Sequence, residues 1–213
     1  MAAKGRQLQR KGYHHGNLKD ALVVAAAELI AESGSEDFAM IDAARRANVS
    51  SAAPYRHFRD KDDLLRSVSE LGFFDLSNHM LAIKGNSVQG SADCIVAMGK
   101  SYIRFVTERA AFFDLMWGER GVQLMAQLDD SDAQFRVTGF NVLVEQVELW
   151  CAQQNLTHAD PLDLAVKLWA MAMGLSHLVI NQYLERFLPG VDASQMLESS
   201  TLAFLQGVKQ GQP

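Results

Sequence analysis

The stretch Ala39–Phe58, AMIDAARRANVSSAAPYRHF, decides how the chain is read. Met40, Ala43, Ala44 and Ala47 recur at helical spacing and lead into Asn48-Val49. Ser50 or Ser51 then caps a second helix over about 51–58. Two short helices joined by a turn of three or four residues, with small residues where they cross, make a helix-turn-helix. Asn48 suits the elbow because it is among the few non-glycine residues that tolerate left-handed backbone, and Val49 plugs the angle. Pro54 fits if Ser51 is the cap, since the first helical turn needs no N–H from it. The second helix then turns Ser51, Ala52, Tyr55 and Arg56 outward, and small residues at its start allow close approach to a DNA major groove.

Just beyond lies a second cluster. Tyr55, His57 and Lys61 offer a phenol, an imidazole and an ammonium around the start of the next helix, all able to donate to phosphate oxygens. The plainer alternative is that Phe58 and Tyr55 pack a small core and His57 is merely exposed. Upstream, Leu18, Leu22, Ala25, Ala26, Leu29 and Ile30 mark a helix capped by Asn17 and stopped at Gly34. Downstream, Asp60 caps a helix running to about Ile83. Further helices are expected at about 91–108, 110–118, 130–154, 161–187 and 192–208, separated by Gly118/Gly121, the acidic loop Asp129–Asp132, Asn155–Asp160 and Pro189-Gly190. No segment alternates with period two for long enough to make a sheet. The expectation is an all-α chain of about nine helices, with a basic arm and three-helix front domain over 1–60 and a helical body over 61–213.

Composition narrows the function classes. With 213 residues, 48% apolar and 21% charged, the chain reads as globular and not as disordered or fibrous. Residues 1–66 carry 11 Lys/Arg against 9 Asp/Glu, whereas residues 67–213 carry 9 against 16. A basic front on an acidic body fits a polyanion met only by the front, though a solvated basic tail would look the same. The polar, basic Met1–Lys11 lacks the apolar core of a secretory signal. The longest apolar run, Leu168–Ile180, contains Ser176 and His177 and is short for a bilayer, so no membrane association is expected. Cys94 and Cys151 stand apart without a CxxC pattern and read as reduced thiols of a cytoplasmic protein.

No GxSxG, HExxH, P-loop or GxGxxG pattern is present, so an enzyme is not expected, nor a cofactor. His14-His15 and the cluster Asp129, Asp130, Asp132 lack the further ligands a metal site needs. The body carries aromatic and Met stripes that are plain core or, where Met leaves irregular gaps, an apolar pocket. Such a pocket would lie near Tyr102, Phe105, Phe113, Phe140, Trp150 and Met173. His177 would either orient a polar ligand atom or sit satisfied at a helix interface.

Together, Tyr13–Asp20 (YHHGNLKD), Ala43–Lys61 with its ARRANVSSAAPYRHFRDK, and Leu64-Leu65 resemble the DNA-binding domain of the tetracycline-repressor (TetR) family of transcription regulators. Tyr102–Gly118 (YIRFVTERAAFFDLMWG) and Trp169–Leu178 (WAMAMGLSHL) resemble the C-terminal domain called WHG. The resemblance implies a homodimer that binds a palindromic operator, with a small apolar or amphipathic effector in the body altering the spacing of the two heads. It implies that Ser50, Ser51, Ala52 and Arg56 face bases or nearby phosphates, that Tyr55, His57 and Lys61 grip the backbone, and that Arg45, Arg10 and Lys11 add phosphate contacts. The last two helices would form the dimer interface, and a repressor is the expected role. Two positions depart from the family pattern. Ala39 stands where Thr or Ser usually opens the helix-turn-helix, leaving Asp37 as a substitute cap, and Met173 stands where the C-terminal pattern has His. The competing expectation is a helical small-molecule-binding protein of the same fold with DNA binding lost or weakened.

Overall fold

The computed structural model describes residues 18–125 and 134–211, and those residues contain eleven helices and no strand. The chain divides into two compact units, Met1–Val68 and Ser69–Pro213, the division falling inside a long helix rather than at the expected residue 60.

In the first unit, α1 (Leu18–Ser33) buries Leu22, Ala26 and Ile30 and ends at Gly34, whose φ of +69° and N–H bond to the Ile30 carbonyl at 2.9 Å close the helix. The residues expected to precede it (Arg10, Lys11, His14, His15 and the cap Asn17) lie outside the described residues, as does Asp129–Asp132. α2 (Met40–Arg46) opens after Ala39, which has no capping side chain. Asp42 reaches back instead, accepting the Ala39 N–H at 2.9 Å. Asp37 is not the substitute cap; its own N–H donates to Ser35 Oγ at 3.0 Å. At the other end Asn48 takes φ +57°, as the sequence predicts, and its N–H bonds Arg45 O at 3.1 Å while Val49 N–H bonds Ala44 O at 3.0 Å. This pair of crossed bonds satisfies the last carbonyls of the helix.

α3 (Pro54–His57) is a single turn, not the helix 51–58 expected. Neither serine caps it. Ser50–Ala53 forms a tight turn closed by Ala53 N–H to Ser50 O at 2.9 Å, and Pro54 opens the helix where its missing N–H is harmless and its fixed φ suits. α1, α2 and α3 pack on one another with Ala43 and Ala44 fully buried at the crossing. Arg46 ties α2 to α1, its guanidinium bonding Glu32 through both nitrogens and reaching Glu28 at 3.4 Å.

α4 (Lys61–Asn86) begins at Asp60, whose carboxylate accepts Asp63 N–H at 2.8 Å. It outruns the expected end at Ile83, because Gly85 continues the helix. The second unit adds α5 (Ala92–Thr107), α6 (Ala110–Trp117), α7 (Glu119–Met125), α8 (Gln134–Gln153), α9 (Pro161–Ile180), α10 (Tyr183–Phe187) and α11 (Ala193–Lys209). Two boundaries differ from those expected. Gly121 lies inside α7, where an added Cβ would fall 2.4 Å from Leu115 O, so it permits close packing of α7 on α6 and does not end a helix. The expected helix 161–187 breaks at Gln182, which takes left-handed φ +59° without glycine. These divisions raise the count from about nine to eleven among the described residues.

Side-chain oxygens of Ser91, Asp160 and Asp192 cap α5, α9 and α11. α9 has 20 residues and a mean hydropathy of 1.4, long and apolar enough to cross a membrane by length and composition alone, contrary to the shorter run expected. Its apolarity has a packing cause: it lies against α5, α8, α10 and α11 and buries Leu164, Leu168, Ala172 and Leu175. Burying each leucine of this set contributes about 1.5–3 kcal/mol.

Candidate nucleic-acid interface and interior cavity

The helix-turn-helix presents an outward surface built from the tight turn and α3. Ser50, Ser51, Ala52 and Arg56 are exposed, and Tyr55 is 63% exposed despite being aromatic. Tyr55 is therefore not part of the mini-core, whereas Phe58 is, at 2% exposure. His57 is half-buried. The Lys61 ammonium sits 4.9 Å from the Phe38 ring centroid, a cation–π contact that orders the side chain while leaving its charge unneutralised by that partner. Arg45 is exposed and holds Asp42 at 2.8 Å within its own helix. Lys19 lies 5.6 Å over the Phe58 ring. Asp63, an acid that would repel a polyanion, is held by Arg66 at 2.9 Å and accepts the Arg59 N–H at 3.1 Å. The surface thus combines hydroxyl and small groups at the turn with a phenol and guanidinium on α3.

Within the second unit, helices α4, α5, α6, α7, α8, α9 and α11 surround a cavity of about 560 Å³. That is the size class of small-molecule pockets. Its aromatic wall centres on Trp117, with Phe73 5.2 Å and Tyr102 5.5 Å away between ring centroids. Phe140 and Trp169, 5.6 Å apart, form another stretch. Tyr102 is buried and its hydroxyl has no hydrogen-bond partner among the described residues. Burial pushes its ionisation above the ordinary tyrosine range, slightly opposed by the Trp169 indole, so it stays a neutral phenol.

Comparison with known proteins decides the family. Residues 22–68 match "Bacterial regulatory proteins, tetR family" and residues 95–202 match "Tetracyclin repressor-like, C-terminal domain". The chain belongs to the TetR family.

The description matched by the body does not carry the WHG label. No curated protein matches the chain. Among solved structures, a protein of unknown function from Rhodococcus sp. RHA1 is similar at 22% identity and TM-score 0.75, covering 92% of this chain and 98% of that one. The TetR-family transcriptional regulator PfmR from Thermus thermophilus is similar at 18% and 0.57, covering 89% and 97%. The TetR-like regulator LfrR from Mycobacterium smegmatis, solved with proflavine, is similar at 17% and 0.55, covering 91% and 94%. At these identities the likeness is one of fold. TetR-family membership carries the coarse function, DNA-binding transcription regulation.

Of the residues that the sequence marked for a TetR-type effector site, Tyr102 and Phe140 line the cavity. Phe113 stands behind the wall, 5.6 Å from the Trp117 ring. Phe105 is buried beside His79 and Arg109, Trp150 belongs to a separate cluster with Val147 and Leu164, and Met173 packs half-buried against the main core. His177 is exposed, within 3.3 Å of the Asn181 amide. None of these four lines the cavity. Trp117, Trp169, Phe73 and Met80 do, and the sequence did not single them out; a tryptophan on an apolar helix face is no separate signal, since Trp150 is one too and lies in another cluster.

Proposed function

We propose that this chain is a ligand-responsive, sequence-specific DNA-binding repressor that occupies a palindromic operator as a cytoplasmic homodimer, and that it is not an enzyme. The observation that carries the reading is the uncovered surface of the turn and α3, where Ser50, Ser51, Ala52, Tyr55 and Arg56 all face outward from a buried alanine crossing. An exposed tyrosine on a one-turn helix has no packing role, and its phenol suits a phosphate oxygen. In this reading Tyr55, His57 and Lys61 hold the DNA backbone, Arg45 and the arm residues Arg10 and Lys11 add phosphate contacts, and Ser50, Ser51, Ala52 and Arg56 face the bases.

Dimerisation is supported by an unpartnered stripe on α9. Leu162, Val166, Ala170, Gly174 and Leu178 recur every four residues and are all exposed, and Leu202 on α11 is 40% exposed. A contiguous apolar strip of this kind is usual for a protein–protein contact. The cavity supports an effector role, and the fold relative LfrR was solved with a small molecule, proflavine. Selection of bound sequences from a random duplex pool by the purified protein tests the function. Recovery of a palindrome with half-sites about one helical turn apart is the expected result. Weak, salt-sensitive and unselective binding would instead favour a small-molecule-binding protein that has lost its operator.

A further inference from the structure

We propose that the cavity takes an uncharged, mainly apolar molecule with one hydrogen-bond acceptor, which the Tyr102 hydroxyl meets. This deepens the reading of the cavity as an effector site and rests on it.

Three observations lead there. First, the described residues lining the cavity include no Asp, Glu, Lys, Arg or His. Among the described residues no counter-charge meets an entering carboxylate or ammonium, so they do not offset its loss of hydration. Aromatic faces attract cations, but less than water solvates them.

Second, Tyr102 supplies a donor that nothing accepts. Its hydroxyl is buried and unpartnered. The Trp169 indole beside it is a donor only and cannot accept the phenol hydrogen. Ser77 is engaged with its own helix, donating to Phe73 O at 2.8 Å, and Thr201 adds one further hydroxyl at the α11 wall. A ligand carbonyl or ether oxygen would satisfy Tyr102, and a buried donor left unmade is costly.

Third, the donor stands at the aromatic end, where Tyr102 and Phe73 both contact Trp117. A conjugated or ring-bearing acceptor therefore fits better than a free alkyl chain ending in a charged head.

The test is fluorescence titration of the full chain with four probes. These are 6-propionyl-2-dimethylaminonaphthalene (neutral, one ketone), 2-dimethylaminonaphthalene (the same without the ketone), 6-dimethylamino-2-naphthoate (anionic) and proflavine (cationic). The ketone probe should bind, with the naphthoate and proflavine weaker by about a hundredfold or more. Tyr102→Phe should weaken the ketone probe about 3- to 10-fold and shift its bound emission to the blue, while leaving the ketone-free probe within about twofold. Equal binding of a charged probe overturns the proposal, as does a Tyr102→Phe protein, folded by circular dichroism, that loses both neutral probes alike or neither. If no probe binds at all, the effector-site reading itself falls, and the proposal falls with it.

Discussion

Tyr55 and Lys61 reach the proposed DNA surface by different physical routes, which makes their variants informative. Tyr55 is mostly exposed and Lys61 rests on Phe38, so replacing either by alanine removes a phosphate donor with little effect on packing. Binding should weaken for all duplexes alike. The slope of log affinity against log salt, expected at roughly −5 to −9 for the dimer, should flatten by about one for each phosphate that a subunit no longer neutralises. An unchanged slope for Lys61→Ala in an electrophoretic mobility series would refute the backbone role. Asn48 makes a different residue-scale prediction. Its φ of +57° disfavours a β-branched side chain, so Asn48→Val should lower stability by about 1–2 kcal/mol in thermal melts while Asn48→Gly does not. His79 sets a pH dependence. Burial, then the charges of Arg109 and Arg104, hold its ionisation below the ordinary 6.5, against a smaller opposing pull from Glu108. As pH falls through about 6.5 the unfolded chain takes up a proton that the folded histidine resists, so stability declines. The melting temperature should drop more steeply between about pH 7.5 and 5.5 in wild type than in His79→Gln, and parallel curves would contradict this. At this scale much was legible: Asn48 is left-handed and Asp60 caps because each has a local reason written into its own side chain. Asp42 was missed as the partner of Ala39 N–H because an acid at the third helical position has several uses that sequence alone does not separate.

Helix ends were readable where a side chain fixes them and unreadable where packing does. Asp160-Pro161 and Asp192 start α9 and α11 for chemical reasons that any reader of the sequence can apply. Gly121 looks like a terminator and is instead a point of close approach, a distinction that resides wholly in Leu115 of the neighbouring helix. Gln182 breaks α9 from α10 with no residue that prefers to do so, hence the single long helix expected there. The two kinds of helical glycine predict opposite outcomes. Gly121→Ala would place a methyl 2.4 Å from a backbone oxygen and should destabilise by about 1–3 kcal/mol, whereas Gly85→Ala, with nothing within 4 Å, should stabilise by about 0.5–1 kcal/mol. Denaturant titration of both variants checks the sign. The cavity belongs to the class of features that sequence hid. Tyr102 and Phe140 were foreseen on aromatic spacing, but Trp150 obeys the same spacing and lies in another cluster, since periodicity tells which face is buried and not what it is buried against.

For the whole molecule, the all-α class and the helix-turn-helix followed from periodicity and from one twenty-residue stretch, and the family resemblance pointed to the last two helices for self-association, whereas which of their residues form an exposed apolar strip shows itself only once the buried faces are known. Leu202→Glu should convert the proposed dimer to a monomer in sedimentation equilibrium and, with it, abolish recognition of a palindrome while single half-site binding survives weakly. A variant that stays dimeric would move the interface elsewhere. α9 has a further consequence. Leu168, Trp169 and Ala172 on one side of it wall the cavity, while Leu162, Val166 and Leu178 on another are the strip assigned to the second copy. In the proposed dimer, a molecule that shifts this helix from within and thereby alters the affinity of the two copies for each other must, by thermodynamic reciprocity, have its own affinity altered by self-association by the same factor. The dose of effector needed for a response would therefore depend on how much of the protein a cell contains, making abundance itself a setting of the sensor.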